Sequence, residues 1–334
     1  MTLDLTLACS EYAWTEPLHD GRVSPQGVDL TTVDFPNPDR FSRMVHDLAF
    51  DVCELSMGTY LATRRDPAAF PFTALPVFPY RRFRHSFVYR RAGGPVAGPP
   101  DLEGARVGLI NWQTTTGIWQ RGVLAERHGV DLEAIEWVAG GAEIVDVDTG
   151  GFDVRYRDRR SDSAMPLLEG LLAAGDLDAL CVPVHPETDA AERLFDDPVA
   201  VERTYARETG HFPIMHTVVV RDALLEREPW LAQALVDAFA DARRQGLATL
   251  DRPRWLPLAS VRPLVDRQRA LLGADPWAGG LGEDNRATLE TLVGYAADQG
   301  VAAERDDVED LFATRHLDPG WFERAEPAPG VTGR

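Results

Sequence analysis

The sequence predicts an α/β protein of two lobes, with a ligand cleft between them and two crossover segments joining them. Three observations carry this. The 334 residues exceed what one hydrophobic core usually serves, and 44% of them are apolar, enough for two cores. Strand-like and helix-like patterns alternate along the chain. A Gly/Pro-rich break at 93–100 and a late apolar strand at 211–224 mark two separate passages between the halves.

In order, "LDLTLACS" (3–10) alternates as a strand does, and "GVDLTTVDF" (27–35) does so again. "PDRFSRMVHDLAF" (38–50) places Phe41, Met44, Val45 and Leu48 at helical spacing, ahead of a short strand (51–56) and a helix from about Met57 to Arg64. "HSFVYRR" (85–91) alternates, and the break at 93–100 ends the first unit. The second unit has a strand at Arg106–Ile110, a loop and helix over 111–129, and a strand at 133–139. The charged stretch 142–163 reads as a mobile loop, followed by a helix at 164–176 and a strand at 177–183. Past the strand at 211–224, amphipathic helices dominate. The expected division is residues 1–88 with 223–334 in one lobe and 89–222 in the other. No repeat of fixed period is present.

The formal charge of −19 opposes contact with nucleic acid or an anionic membrane. All 34 basic residues are arginine. Chemistry that needs a lysine amine, such as a pyridoxal Schiff base or a phosphate-binding P-loop, is thereby excluded. Arginine suits the two-pronged grip of a carboxylate. Cys9, Cys53 and Cys181 are widely spaced and read as buried structural thiols. The N-terminus lacks a secretory pattern and no segment has the roughly 20 apolar residues of a bilayer span, so the expectation is a cytoplasmic protein. Homo-oligomer formation is left open.

The stretch "PYRRFRHSFVYRR" (79–91) concentrates cations in this acidic chain. Arg81, Arg90 and Arg91 read as solvated residues flanking a strand. Arg82, Arg84 and His85 lie where the chain leaves the first lobe, and the two arginines would form a carboxylate clamp if they face the cleft. The threonines of "NWQTTTGIW" (111–119), among them Thr114 and Thr115, precede a helix, where free N–H groups receive anions or a side chain simply caps. His216 opens the late apolar strand and either packs in a core or faces the same cleft as His85. Glu54 ends a buried-looking strand and needs a partner, for which Arg82 or Arg84 is the expectation. His185 and His211 read as surface residues. No HExxH, GxSxG or metal-ligand spacing appears, so no cofactor is called for.

In order from about residue 50 to 245, "ELSMGTYL", "LPVFPYRRFRHSFVYRR", "LEGARVGLINWQTTTGIWQRGVL", "LLAAGDLDAL", "RLFDD" and "HFPIMHTVVVRD" resemble the 4,5-dihydroxyphthalate decarboxylase family. The resemblance implies a fold like that of type II periplasmic binding proteins. It also implies non-oxidative loss of one carboxylate from a dihydroxylated aromatic diacid, giving protocatechuate from 4,5-dihydroxyphthalate. A small anionic aromatic substrate follows, and no cofactor. On that chemistry, His85 or His216 supplies a proton, and Glu54 or the other histidine accepts one from a phenol. Arg82, Arg84 and Arg121, with Thr114, Thr115 and Ser56, would hold the retained carboxylate, while Trp119 and Tyr60 would pack on the ring. Alternatives are a solute-binding receptor for such acids, or a lyase of other chemistry on a similar anion.

Overall fold

The computed structural model describes residues 2–157, 164–252, 259–302 and 307–320. The first lobe begins with β1 (Leu3–Ala8), α1 (Glu16–His19), β2 (Val28–Val33), α2 (Asn37–Asp47), β3 (Val52–Ser56), α3 (Met57–Thr63) and β4 (Phe72–Leu75). The second contains β5 (Val88–Arg91), β6 (Arg106–Leu109), α4 (Thr115–His128), β7 (Glu136–Ala139), β8 (Asp153–Tyr156), α5 (Ala164–Ala174), β9 (Ala179–Cys181), β10 (Ala191–Arg193) and α6 (Pro198–Thr209). The chain then returns through β11 (His216–Arg221), α7 (Asp222–Arg227), α8 (Leu231–Leu247), α9 (Val261–Leu272) and α10 (Glu283–Asp298).

The strand orders are β2-β1-β3-β11-β4 and β10-β5-β9-β6-β7-β8. The first sheet is parallel through β2-β1-β3 and the second through β9-β6-β7-β8, and in each one inserted strand runs against its neighbours: β11 between β3 and β4, and β5 between β10 and β9. Parallel strands need cover on both faces, and the burial follows that need. Leu5, Leu7, Val218 and Val220 pack under α1 and α8 on one face of the first sheet. Leu168 and Leu172 of α5 cover one face of the second. The remaining faces merge into one apolar cluster that runs from Leu55 and Val219 to Trp112 and Trp137. The free thiols Cys9, Cys53 and Cys181 are all buried in these layers.

Three expectations change. β11 lies between β3 and β4, so the return to the first lobe precedes residue 216 rather than following 222; its first five residues are buried, which suits a central slot. α10, assigned by sequence to the first lobe, packs on α4 of the second as well as on α3. Within 142–163, Asp153–Tyr156 form β8, which pairs in parallel with β7 through the register Glu136↔Asp153, and residues 158–163 lie outside the described residues. That strand escapes sequence reading because its edge position leaves it polar and half exposed.

The lobes meet at the end of β3. Thr115 Oγ1 accepts from Gly58 N at 2.8 Å and shares a 2.7 Å hydrogen bond with Ser56 Oγ. A Cβ on Gly58 would stand 2.1 Å from Gln113 O, so only glycine allows this approach.

Candidate functional site

In open α/β sheets the space outside the carboxyl ends of the strands is where ligands bind, because helix N-termini and loops converge there. Here both sheets aim those ends at a shared cleft of about 1110 Å³. Ser10, Ser56 and His216 reach it from the first lobe; Asn111, Thr114 and His185 reach it from the second. Among the described residues its wall carries Arg81, Arg82, Arg84 and Arg193 against one carboxylate, Glu202. In a chain of net charge −19, that inversion makes a local well for anions.

On β3 and β11, His216 stands opposite Ser56 and Val218 opposite Glu54, so Glu54 and His216 are diagonal neighbours on one face. His216 Nδ1 and Glu54 Oε1 are 2.5 Å apart. Glu54 is wholly buried and its oxygens are saturated: it also accepts from Ser10 N at 2.8 Å, Tyr12 Oη at 2.8 Å and Arg40 at 2.9 Å. Burial alone would raise its pKa, but His216, Arg40 and the Ser10 N–H hold it down to about 2. Arg40 keeps its charge whatever His216 does, so the carboxylate stays ionised. Burial pushes the His216 imidazole below its ordinary range against the pull of Glu54. The ring therefore rests neutral with Nδ1–H donated to Glu54, leaving Nε2 as the nitrogen free for the cleft.

The partner expected for Glu54 was Arg82 or Arg84; it is Arg40, from α2, together with His216. Arg84 instead lies buried between the Tyr80 and Phe87 rings, its Nε 2.9 Å from Met215 Sδ and one terminal nitrogen donating to Pro183 O at 3.3 Å. Burial lowers its pKa to about 10, and among the described residues it has no salt-bridge partner. Arg82 is exposed in the same cleft, over Phe87. Arg81, expected at the surface, is buried and donates to Ala278 O and Asn285 Oδ1. Thr114, Thr115 and Ser56 all line the cleft, and no side chain caps the N-terminus of α4 that Thr114 introduces.

Glu54, expected to meet a phenol, is wholly buried behind His216 and does not line the cleft, and four more expected site residues lie elsewhere. Arg121 is fully buried under α4, stacked 3.7 Å over Trp112 and donating to Gln299 Oε1 and Trp112 O. Trp119 donates Nε1 to Ile214 O inside the core, and Tyr60 donates its hydroxyl to Leu311 O. Both rings are wholly buried, because their helical positions face inward. Rings that do line the cleft include Tyr80, Tyr12 and Trp14, stacked in succession at 5.6 and 5.3 Å with interplanar angles of 7° and 16°.

His85 is the fourth. A single helical turn at His85–Phe87 rotates it away from the cleft into a cage of His128, Phe195 and Tyr205. Burial depresses its pKa from 6.5 to about 4. The folded state thus prefers the neutral ring, and the unfolded chain takes up a proton first. His85 stabilises the fold fully above pH 6.5 and loses that contribution as pH falls through about 4. Thermal melting should show His85→Phe flatter than the parent across that window; an unchanged slope would contradict the burial argument.

Among the described residues, no group of three or more His, Cys, Asp or Glu side chains is arranged to hold a metal ion, and no helix is long and apolar enough to cross a membrane.

No family model matches the chain. A 4,5-dihydroxyphthalate decarboxylase of Comamonas testosteroni is 31% identical over 331 residues, 95% of this chain and 98% of that one. A 4,5-dihydroxyphthalate decarboxylase of Pseudomonas putida is 33% identical over 190 residues, 55% of this chain and 72% of that one. Among solved structures, the periplasmic aliphatic sulphonate binding protein SsuA of Escherichia coli superposes with a TM-score of 0.55 at 13% identity, over 93% of this chain and 98% of that one. The desulfurization enzyme DszB superposes with a TM-score of 0.53 at 16% identity, over 96% and 97% of the two chains. The fold is that of periplasmic-binding-protein-like chains, as the sequence predicts.

Proposed function

Since this chain belongs to the 4,5-dihydroxyphthalate decarboxylase family, we propose that it removes one carboxylate from 4,5-dihydroxyphthalate, or a diacid of the same pattern, to leave a dihydroxybenzoate. The observation that supports this most is the pairing of an arginine-lined cleft with a carboxylate-held imidazole on its wall.

Each carboxylate of that substrate has a phenol para to it. A phenol proton passed to His216 Nε2 sends electron density to the carbon bearing the departing group, and Glu54 stabilises the imidazolium that results. The carbon gains a proton, the C–C bond breaks and CO₂ leaves. The retained carboxylate fits Arg84, whose charge is desolvated and has no salt-bridge partner among the described residues, so a ligand anion recovers part of the cost of burying it. Arg82 and the start of α4, where Thr114 makes no side-chain cap, add donors to the same cleft. A cation gripping the departing carboxylate would stabilise the ground state, so that group belongs against an apolar part of the wall away from Arg84 and across the ring from His216.

Purified protein given 4,5-dihydroxyphthalate should release CO₂ and convert the ultraviolet spectrum to that of the dihydroxybenzoate. Binding without turnover would make the cleft a receptor, and absence of both would overturn this substrate. Arg84→Lys should weaken binding of unreactive phthalate about tenfold, because a point charge does not reproduce the guanidinium fork. Calorimetry giving an unchanged Kd would place the anchor elsewhere.

A further inference from the structure

We propose that His185 is the second proton-transfer residue of the cleft, delivering the proton to the ring carbon while His216 serves the phenol. The inference rests on the decarboxylase reading above. The reaction asks for proton transfers at opposite edges of one ring: removal from a phenol oxygen and delivery to the para carbon. A single imidazole fixed by its ring nitrogen does not reach both. The cleft wall holds two histidines, His216 from the first lobe and His185 from the second, the latter just past the carboxyl end of β9.

Their supports differ in a way that suits different tasks. His216 Nδ1 faces a carboxylate, which only accepts, so its Nδ1 keeps a proton and Nε2 rests as an acceptor. His185 Nδ1 is hydrogen-bonded to the Tyr89 hydroxyl, and its ring packs 5.2 Å from Phe87. A hydroxyl both donates and accepts. The His185 ring therefore keeps its Nδ1 partner whether neutral or protonated, which leaves Nε2 to load and unload a proton at the cleft. Burial raises the Tyr89 pKa, so this hydroxyl retains its own proton throughout. His185 is exposed, with a route to solvent for reloading each turnover. The charged and titratable groups sharing its side of the cleft are Tyr89 on β5, Arg193 on β10, Arg82 and Arg84 on the first crossover, and Glu202 on α6.

The steps balance. The phenol proton moves to His216 Nε2; the His185 imidazolium gives its Nε2 proton to the ring carbon; the C–C electron pair returns to the ring as CO₂ departs. His216 then reprotonates the phenolate and His185 takes a proton from water. One proton is consumed for each CO₂ formed.

His185→Gln should lower kcat on 4,5-dihydroxyphthalate by about a hundredfold or more, with KM within a few-fold of the parent. Tyr89→Phe should reduce kcat less and leave KM near that of the parent, the pattern of a positioning residue. Parental kcat in His185→Gln would overturn the proposal. If the parent protein releases no CO₂ the functional reading fails, and NMR of isotope-labelled histidine rings with added phthalate then decides the geometry. Shifts of both His216 and His185 signals keep the two rings in one site; an unmoved His185 signal removes it.

Discussion

His216→Asn should lower kcat by about 10²–10⁴-fold and leave the binding of unreactive phthalate close to that of the parent. The asparagine amide can still meet Glu54, but it takes no proton from a phenol. Binding survives because the retained carboxylate is assigned to Arg84, Arg82 and the start of α4, which flank His216 in the cleft without depending on it. The separation is what identifies a proton-transfer residue: kcat falls and Kd does not. Full turnover in this variant would remove His216 from the mechanism. Loss of binding together with turnover would recast it as a ligand contact.

The largest effect on stability is expected at Glu54. Glu54→Gln takes the buried counter-charge from Arg40, which is wholly buried and donates to Glu54 Oε2, Asn37 Oδ1, Ser10 Oγ and Phe35 O, and leaves it the exposed carboxylate of Asp34 at 3.5 Å. Removing one member of a buried ion pair typically costs about 3–5 kcal/mol when the other is left uncompensated, and an exposed partner offsets little of that. Urea unfolding should show a loss of that order at neutral pH. The parent's own contribution from this carboxylate has a folded pKa below the unfolded value. It is present above pH 4.5 and lost as pH falls through about 2, so the gap between parent and variant should close in acid. Turnover should fall too, since an amide can offer N–H to His216 Nδ1 and move the imidazole proton to the wrong nitrogen. Combining Arg40→Met with Glu54→Gln should recover part of the stability and none of the turnover, because the two losses have different causes. Additive stability losses in the double variant would refute the coupling.

How much of this is legible in the sequence depends on whether the signal is local. The alternation of "LDLTLACS" and "GVDLTTVDF" reports strands whose two faces meet different surroundings, and β1 and β2 appear where the pattern puts them. The parallel centre of the second sheet is likewise visible as strand, helix, strand. Glu54 announces its need for a partner, because a carboxylate at the end of an apolar strand has few ways to exist. Which partner it finds is a tertiary fact. Arg40 reads as one polar residue on an amphipathic helix, and nothing in its neighbourhood says that α2 presents it inward. The two histidines separate for a similar reason. "HSFVYRR" alternates well, yet one turn of tight helix at its start sends His85 into an aromatic cage. His185 sits among turn residues that carry no periodicity at all. Tyr12, Trp14 and Tyr80 stack from points up to 68 residues apart in number, so no window of sequence contains that wall.

The contact of Ser56, Gly58 and Thr115 ties the two lobes together on the wall of the cleft. Two short hydrogen bonds and a glycine with no room for a methyl group fix how near the walls stand at that point. A flat guest therefore meets a slot whose width there is already set before it arrives.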